Sequence, residues 1–123
     1  MTQEEKQLLL KDLCARLPYN VIVSKSVYGH KPELYYLDLY KIAELQDGDP
    51  VIIKPYLRPI LSMTKKEHDE YSVLYQRVYY KDSPTEFDLS IILDWLNAHH
   101  FDYRGLIPMG LALEAPDGMY KAE

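Results

Sequence analysis

Three times along this chain a hydroxyl residue stands three places ahead of a glutamate: Thr2 and Glu5, Thr64 and Glu67, Ser83 and Glu86. At that spacing the hydroxyl accepts an orphan backbone N–H of a helix's first turn while the carboxylate reaches back, so each pair marks a helix start. The third carries Pro84 where the first helical residue belongs. Strands are then left mainly to the stretch from about residue 19 to 54. In a chain of 123 residues, this arrangement reads as one α+β domain.

The first start predicts a helix over 3–16. Leu9, Leu10, Leu13, Cys14 and Leu17 fall at helical spacing on its apolar stripe, which assigns Cys14 to the core. Pro18 ends it. Tyr19 to Ser26 is rich in β-branched residues, and Tyr28 to Pro32 carries turn residues. Leu34 to Leu45 alternates like a second strand. Gln46-Asp47-Gly48-Asp49-Pro50 reads as a turn, and Val51 to Lys54 as a third strand. The expectation is a three-stranded antiparallel meander. Pro55 and Pro59, four apart, exclude a helix interior and a central strand, so residues 54–59 are expected as an extended strap. The helix after Thr64 places Glu67, Tyr71, Leu74, Tyr75 and Val78 on one face. In the helix after Ser83, Phe87, Ile91, Trp95 and Ala98 form one stripe, and Leu89, Ile92, Leu93 and Leu96 another. A helix apolar over most of its circumference is expected at the centre of the core. A short C-terminal element completes a domain over 1–116, with 117–123 as a mobile tail.

Several functional classes are disfavoured. A single cysteine permits no internal disulfide and no cysteine-based zinc site within one chain. No apolar run approaches membrane-spanning length, and the acidic start does not resemble a signal peptide, so the cytoplasm is the expected compartment. The net charge of −5 is uneven. Residues 1–60 carry eight basic and eight acidic groups, and residues 61–123 six and eleven. No basic stripe suited to phosphates stands out, although Lys25, Lys31, Lys54 and Arg58 could gather on one surface. No phosphate loop, dinucleotide glycine pattern or nucleophile elbow occurs.

Tyrosine usage is unusual: twelve Tyr against two Phe and one Trp. Tyr joins apolar area to a polar tip and suits half-buried positions and contact surfaces. The nearest approach to a chemical constellation is His99, His100 and Asp102, with Arg104 behind. Adjacent His side chains diverge by about 100° near a helix end, so a shared metal is awkward, while Asp102 can cap a short turn.

Lys54-Pro-Tyr-Leu-Arg-Pro, Ser62-Met-Thr, Asp94-Trp-Leu-Asn, His99 through Ile107 and Gly110 through Pro116 together resemble a family of small uncharacterised proteins encoded in prophages and mobile elements of gut anaerobic bacteria. The Leu13–Tyr19 stretch is similar too, and the strand region least. The resemblance implies a cytoplasmic accessory protein and supplies no catalytic residues. The resulting expectation is a non-enzymatic protein-interaction module without cofactor or metal. Its contacts are expected at Tyr56, Arg58, Tyr103 and Arg104, residue types common at interface anchors. The alternative is a nucleic-acid-associated accessory protein that stacks bases on strand-borne Tyr rings, a reading the net charge of −5 disfavours. The partner's identity and the oligomeric state stay open.

Overall fold

The computed structural model describes residues 1–28, 30–47, 51–81 and 83–120. Helix α1 (Gln3–Arg16) begins at a complete Thr2/Glu5 capping box. A 3-10 turn through Pro18 leads into β1 (Ile22–Val27) and β2 (Glu33–Tyr36), then α2 (Leu39–Asp47) and β3 (Val51–Leu57). Helices α3 (Lys65–Tyr79) and α4 (Glu86–Ala98) form a hairpin before the short strand β4 (Leu113–Glu114). Among the described residues no helix is long and apolar enough to cross a membrane.

The architecture is α+β, but the expected meander is only partly matched. The strand order is β2-β1-β3-β4; β1 is antiparallel to both β2 and β3, and β4 is parallel to β3. Half of the alternating stretch 34–45 is helical. Asp38 accepts the Lys41 backbone N–H at 2.9 Å and starts α2, whose Ile42 and Leu45 pack on the core at helical spacing. The Leu34–Tyr40 alternation masked that cap. Of the expected 46–50 turn, Gln46 and Asp47 end α2, and 48–50 lie outside the described residues.

The proline strap is also corrected. Pro55 is buried inside β3, a strand with neighbours on both sides. The β1 register ends at Pro55 and the β4 register begins at Tyr56. The missing N–H therefore falls where β3 exchanges one neighbour for the next, which explains how a proline is tolerated there.

One core gathers Leu9 and Leu13 of α1, Val21 and Val23, Leu37, Leu45, Ile53, Leu57, and Leu106 and Leu111 from the C-terminal turn. The buried face of α1 is offset from its expected stripe. Asp12 and Arg16 are both 0% exposed, whereas Cys14 is exposed. Two opposite charges four residues apart enter the interior as a pair, 2.7 Å from Arg16 Nε to Asp12 Oδ2, and this rotates Cys14 outward. Within the stretch 117–123 expected as a tail, Asp117 and Gly118 are exposed, while Tyr120 reaches back to the sheet. The Tyr120 hydroxyl accepts the Ile22 N–H and donates to the Tyr56 carbonyl, each at 2.8 Å, closing the gap where β1 and β3 part.

Replacing Arg16 by Met strands the buried Asp12 carboxylate and is expected to cost about 3–5 kcal/mol, read from the urea midpoint. Cys14→Ala at the exposed position is expected to stay within about 0.5 kcal/mol. A large loss at Cys14 with little at Arg16 would reverse the orientation described for α1. Tyr120→Phe leaves an amide and a carbonyl unpaired and is expected to cost about 1–3 kcal/mol in the same measurement.

Candidate functional site

Two features stand out on this frame: a polar turn at the foot of the helical hairpin, and an aromatic row rising from it.

The turn spans 97–104, and three arginines converge on it. Arg16 Nη2 donates to the Phe101 carbonyl at 2.7 Å, 85 residues away in sequence. Arg58 grips Glu67 with both Nη atoms, at 2.7 and 2.6 Å, and its guanidinium lies 4.3 Å from the Phe101 ring centroid. Arg58 Nη1 also reaches the His99 carbonyl at 3.3 Å. Arg104 Nη1 lies 3.4 Å from Asp12 Oδ1. Glu67 closes the capping box of α3 as well, and Arg58 holds its carboxyl down to about 2.

The anticipated contact residues are engaged within the chain. Arg58 and Arg104 are in ion pairs, and the Tyr103 hydroxyl donates to Asn97 Oδ1 at 2.9 Å. Tyr56 lies apart, half-buried, its carbonyl taken by Tyr120. The histidines diverge. His99 stacks on Trp95 at 4.1 Å, with Nδ1 2.9 Å from the Trp95 carbonyl. His100 adopts left-handed geometry at φ 63° and stacks on Tyr120 at 3.8 Å. Burial, reinforced by the charges of Arg16 and Arg58, pushes His100 down to about 4. Asp102 accepts the Leu106 and Ile107 N–H groups at 2.8 and 2.9 Å and caps the next turn. Among the described residues, no three His, Cys, Asp or Glu side chains gather closely enough to hold a metal ion. The cluster's chemistry is that of a clamp: it fixes the base of the hairpin.

The hairpin above it departs furthest from expectation. Helix α4 starts at Thr85, not Ser83, because Thr85 accepts the Asp88 N–H and Asp88 reaches back. Only its last turn, Leu96 and Asn97, is buried. Both stripes expected at the centre of the core lie largely open: Phe87 is 72% exposed and Ile91 39%, and on the other stripe Leu89 and Leu93 are exposed as well. On α3, Tyr75 is 49% and Tyr79 66% exposed.

These residues form one surface. Tyr71, Tyr75 and Tyr79 follow each other four apart, with ring centroids 6.2 and 5.8 Å apart along the row. Trp95 lies 5.6 Å from Tyr71 and 5.8 Å from Phe101. Phe87, Ile91 and Trp95 are also four apart, so the two antiparallel rows share the face where Tyr71 meets Trp95. An aromatic ladder thus runs from the open hairpin tip to the buried Phe101 and the Arg58 clamp. The sequence signal was already present: a two-striped α4 has more apolar surface than one neighbouring helix can cover. A second exposed patch lies at the sheet edge, where Leu34 and Tyr36 of β2 neighbour Tyr40 of α2 in the chain.

Comparison with protein-family models, with curated proteins and with solved structures gives no match to this chain.

Between pH 6.5 and 4 the unfolded chain takes up a proton at His100 that the folded chain refuses, so stability is expected to fall as pH drops through that window. His100→Asn, which suits a positive φ and does not titrate, is expected to flatten this part of a urea-midpoint profile. Glu67 and Asp88, both held near 2, add a loss below about pH 4.5 common to both proteins. An identical slope above pH 4.5 in the variant would contradict the burial of the His100 ring.

Proposed function

We propose that this chain is a non-enzymatic protein-interaction module, a cytoplasmic accessory component of a prophage or mobile element, and that it engages a protein surface through the aromatic face of the α3–α4 hairpin. One observation carries the reading: the apolar residues of a two-helix hairpin, enough to build a core layer, face outward while a rigid clamp fixes their base. Exposed contiguous apolar surface of this kind is characteristic of protein contact sites. Tyr and Trp in such a row supply large area at low conformational cost. The polar turn supports the reading by positioning, since Arg58, Tyr103 and Arg104 spend their donors inside the chain.

The electrostatics favour a protein over a nucleic acid. Lys25 pairs with Glu44 at 2.6 Å, Lys41 with Asp38 at 3.3 Å, and Arg58 with Glu67. With Arg16 on Asp12, four of the eight cations of this half are offset within the fold, leaving fewer to exchange for phosphate counterions.

A photo-crosslinking residue at Phe87, compared with one at the exposed Gln7 on α1, tests the reading in lysate of the native host. The expected result is protein adducts at Phe87, unchanged by nuclease and scarce at Gln7. Equal labelling at both positions, or adducts that vanish with nuclease, would overturn it.

A further inference from the structure

We propose that the aromatic face of the α3–α4 hairpin is covered by the same face of a second copy of this chain, so that two hairpins build a four-helix bundle about a twofold axis. This rests on the reading of the hairpin as an interaction face and names its occupant.

Three observations on the fold point to a like copy. The first is architectural. Two antiparallel helices of 15 and 13 residues, each about 20 Å long, form one layer. Helices bury an apolar face by packing against a further layer, and two hairpins face to face supply it for each other. Among the described residues the hairpin meets the rest of the chain near its foot, through Arg58 with Glu67, Trp95 with Phe101, and the end of α4 against α1. Among the described residues, the rows along Tyr75 and Tyr79, and Phe87 and Ile91, stay open to solvent.

The second observation is charge. Residues 61–123 carry a net −5, so most surfaces in this half repel a second copy. The aromatic face carries fewer unpaired charges. By helical phase, His68, Ser72 and Gln76 accompany the Tyr row while Lys66, Glu70 and Arg77 fall on the opposite arc of α3; on α4, Asp88 and Asp94 flank the Phe87–Ile91–Trp95 row, and Asp88 is paired with Lys81 at 2.8 Å. With Asp88 neutralised by Lys81, the face offers little steering to a strongly charged protein or a nucleic acid, and it meets a second acidic copy with fewer like charges than the rest of this half, which favours an isologous interface.

The third is area. At the exposures given above, Tyr75, Tyr79, Phe87 and Ile91 leave on the order of 450 Å² open per copy. With the half-buried Tyr71 and Trp95 and the polar margin, the face approaches the roughly 800 Å² per partner of a standard stable interface.

Sedimentation equilibrium of the full chain, from about 1 to 100 μM, is the test, run beside Phe87→Glu and Tyr79→Glu. Both positions are open in the single chain, so the variants are expected to keep the wild-type circular dichroism spectrum and melting profile. The expected result is a wild-type dimer whose dissociation constant rises on the order of 100-fold in each variant, with Glu70→Lys on the opposite arc leaving it unchanged. A wild-type monomer throughout the range would overturn the proposal, as would a dimer indifferent to both substitutions. Should either variant lose its fold, Phe87→Ala with the same readout takes its place. The two readings separate cleanly. A monomer that still crosslinks a foreign protein at Phe87 removes the second copy and keeps the interaction face. A monomer with no Phe87-dependent protein adduct removes both.

Discussion

Arg16 carries its charge into a site without solvent contact, and the rest of the structure is arranged around making that tolerable. Burying an isolated guanidinium costs several kcal/mol, and the cost is recovered only where hydrogen bonds satisfy its donors. Asp12, one turn earlier on α1, supplies the counter-charge and the Phe101 carbonyl a second acceptor, while Nη1 stays without a hydrogen-bond partner among the described residues. Since that carbonyl comes from the far end of the chain, α1 reaches its interior partner only once the 97–104 turn is in place. The turn in turn needs His100 at a positive φ, which aims the Phe101 and His99 carbonyls at Arg16 and Arg58 respectively. The charged pair thus acts as a specification of topology more than as a source of net stability. Hydrophobic residues of equal volume could fill the same space, but they would not select this one docking of α1 on the turn.

Arg58 extends the same logic to the hairpin. It leaves the end of β3, binds Glu67 in the first turn of α3 and lies over Phe101. One side chain therefore ties the sheet, the start of α3 and the turn after α4. Above that point the hairpin is held by a run of aromatic contacts, Phe101 to Trp95, Trp95 to Tyr71, then up the Tyr row, and by the Lys81–Asp88 ion pair at its tip. The gradient runs from buried to open along the ladder. A surface built this way is rigid at its base and accessible at its tip, which reduces the entropy lost when something covers it.

Much of this was legible wherever a local rule decides local structure. The capping boxes at Thr2 and Thr64 place α1 and α3 because a cap acts within four residues. The rule failed where a second signal overlaid it. Asp38 caps α2 inside a run that alternates like a strand, and Thr85 displaces Ser83 as the cap of α4. Tertiary facts were beyond reach for a different reason. Nothing in the spacing of Asp12 and Arg16 says that they turn inward, because the acceptor that makes it possible lies 85 residues away. The exposure of Cys14 follows from the same rotation. Pro55 sits in a central strand because β3 changes partner there, a property of the sheet and not of the strand. Tyr56, Arg58, Tyr103 and Arg104 were singled out by residue type. Type alone cannot distinguish an Arg that reaches a partner from one that clamps its own turn.

The preference for tyrosine over phenylalanine becomes intelligible on this surface. A face that must stay dissolved until it is covered, and dry once covered, cannot be made of Leu and Phe alone, since their exposed area would drive indiscriminate association. Tyr presents comparable area with a hydroxyl that water satisfies in the open state and a neighbouring chain can satisfy in the closed one. The same residue serves the opposite purpose at Tyr120, where burial pushes the phenol up to about 12 and the hydroxyl substitutes for a bond of the sheet. Placement separates the two settings: Tyr120 meets backbone polar groups at a gap between strands and completes the fold, whereas the rings of the α3 row stack toward solvent on the face proposed for interaction.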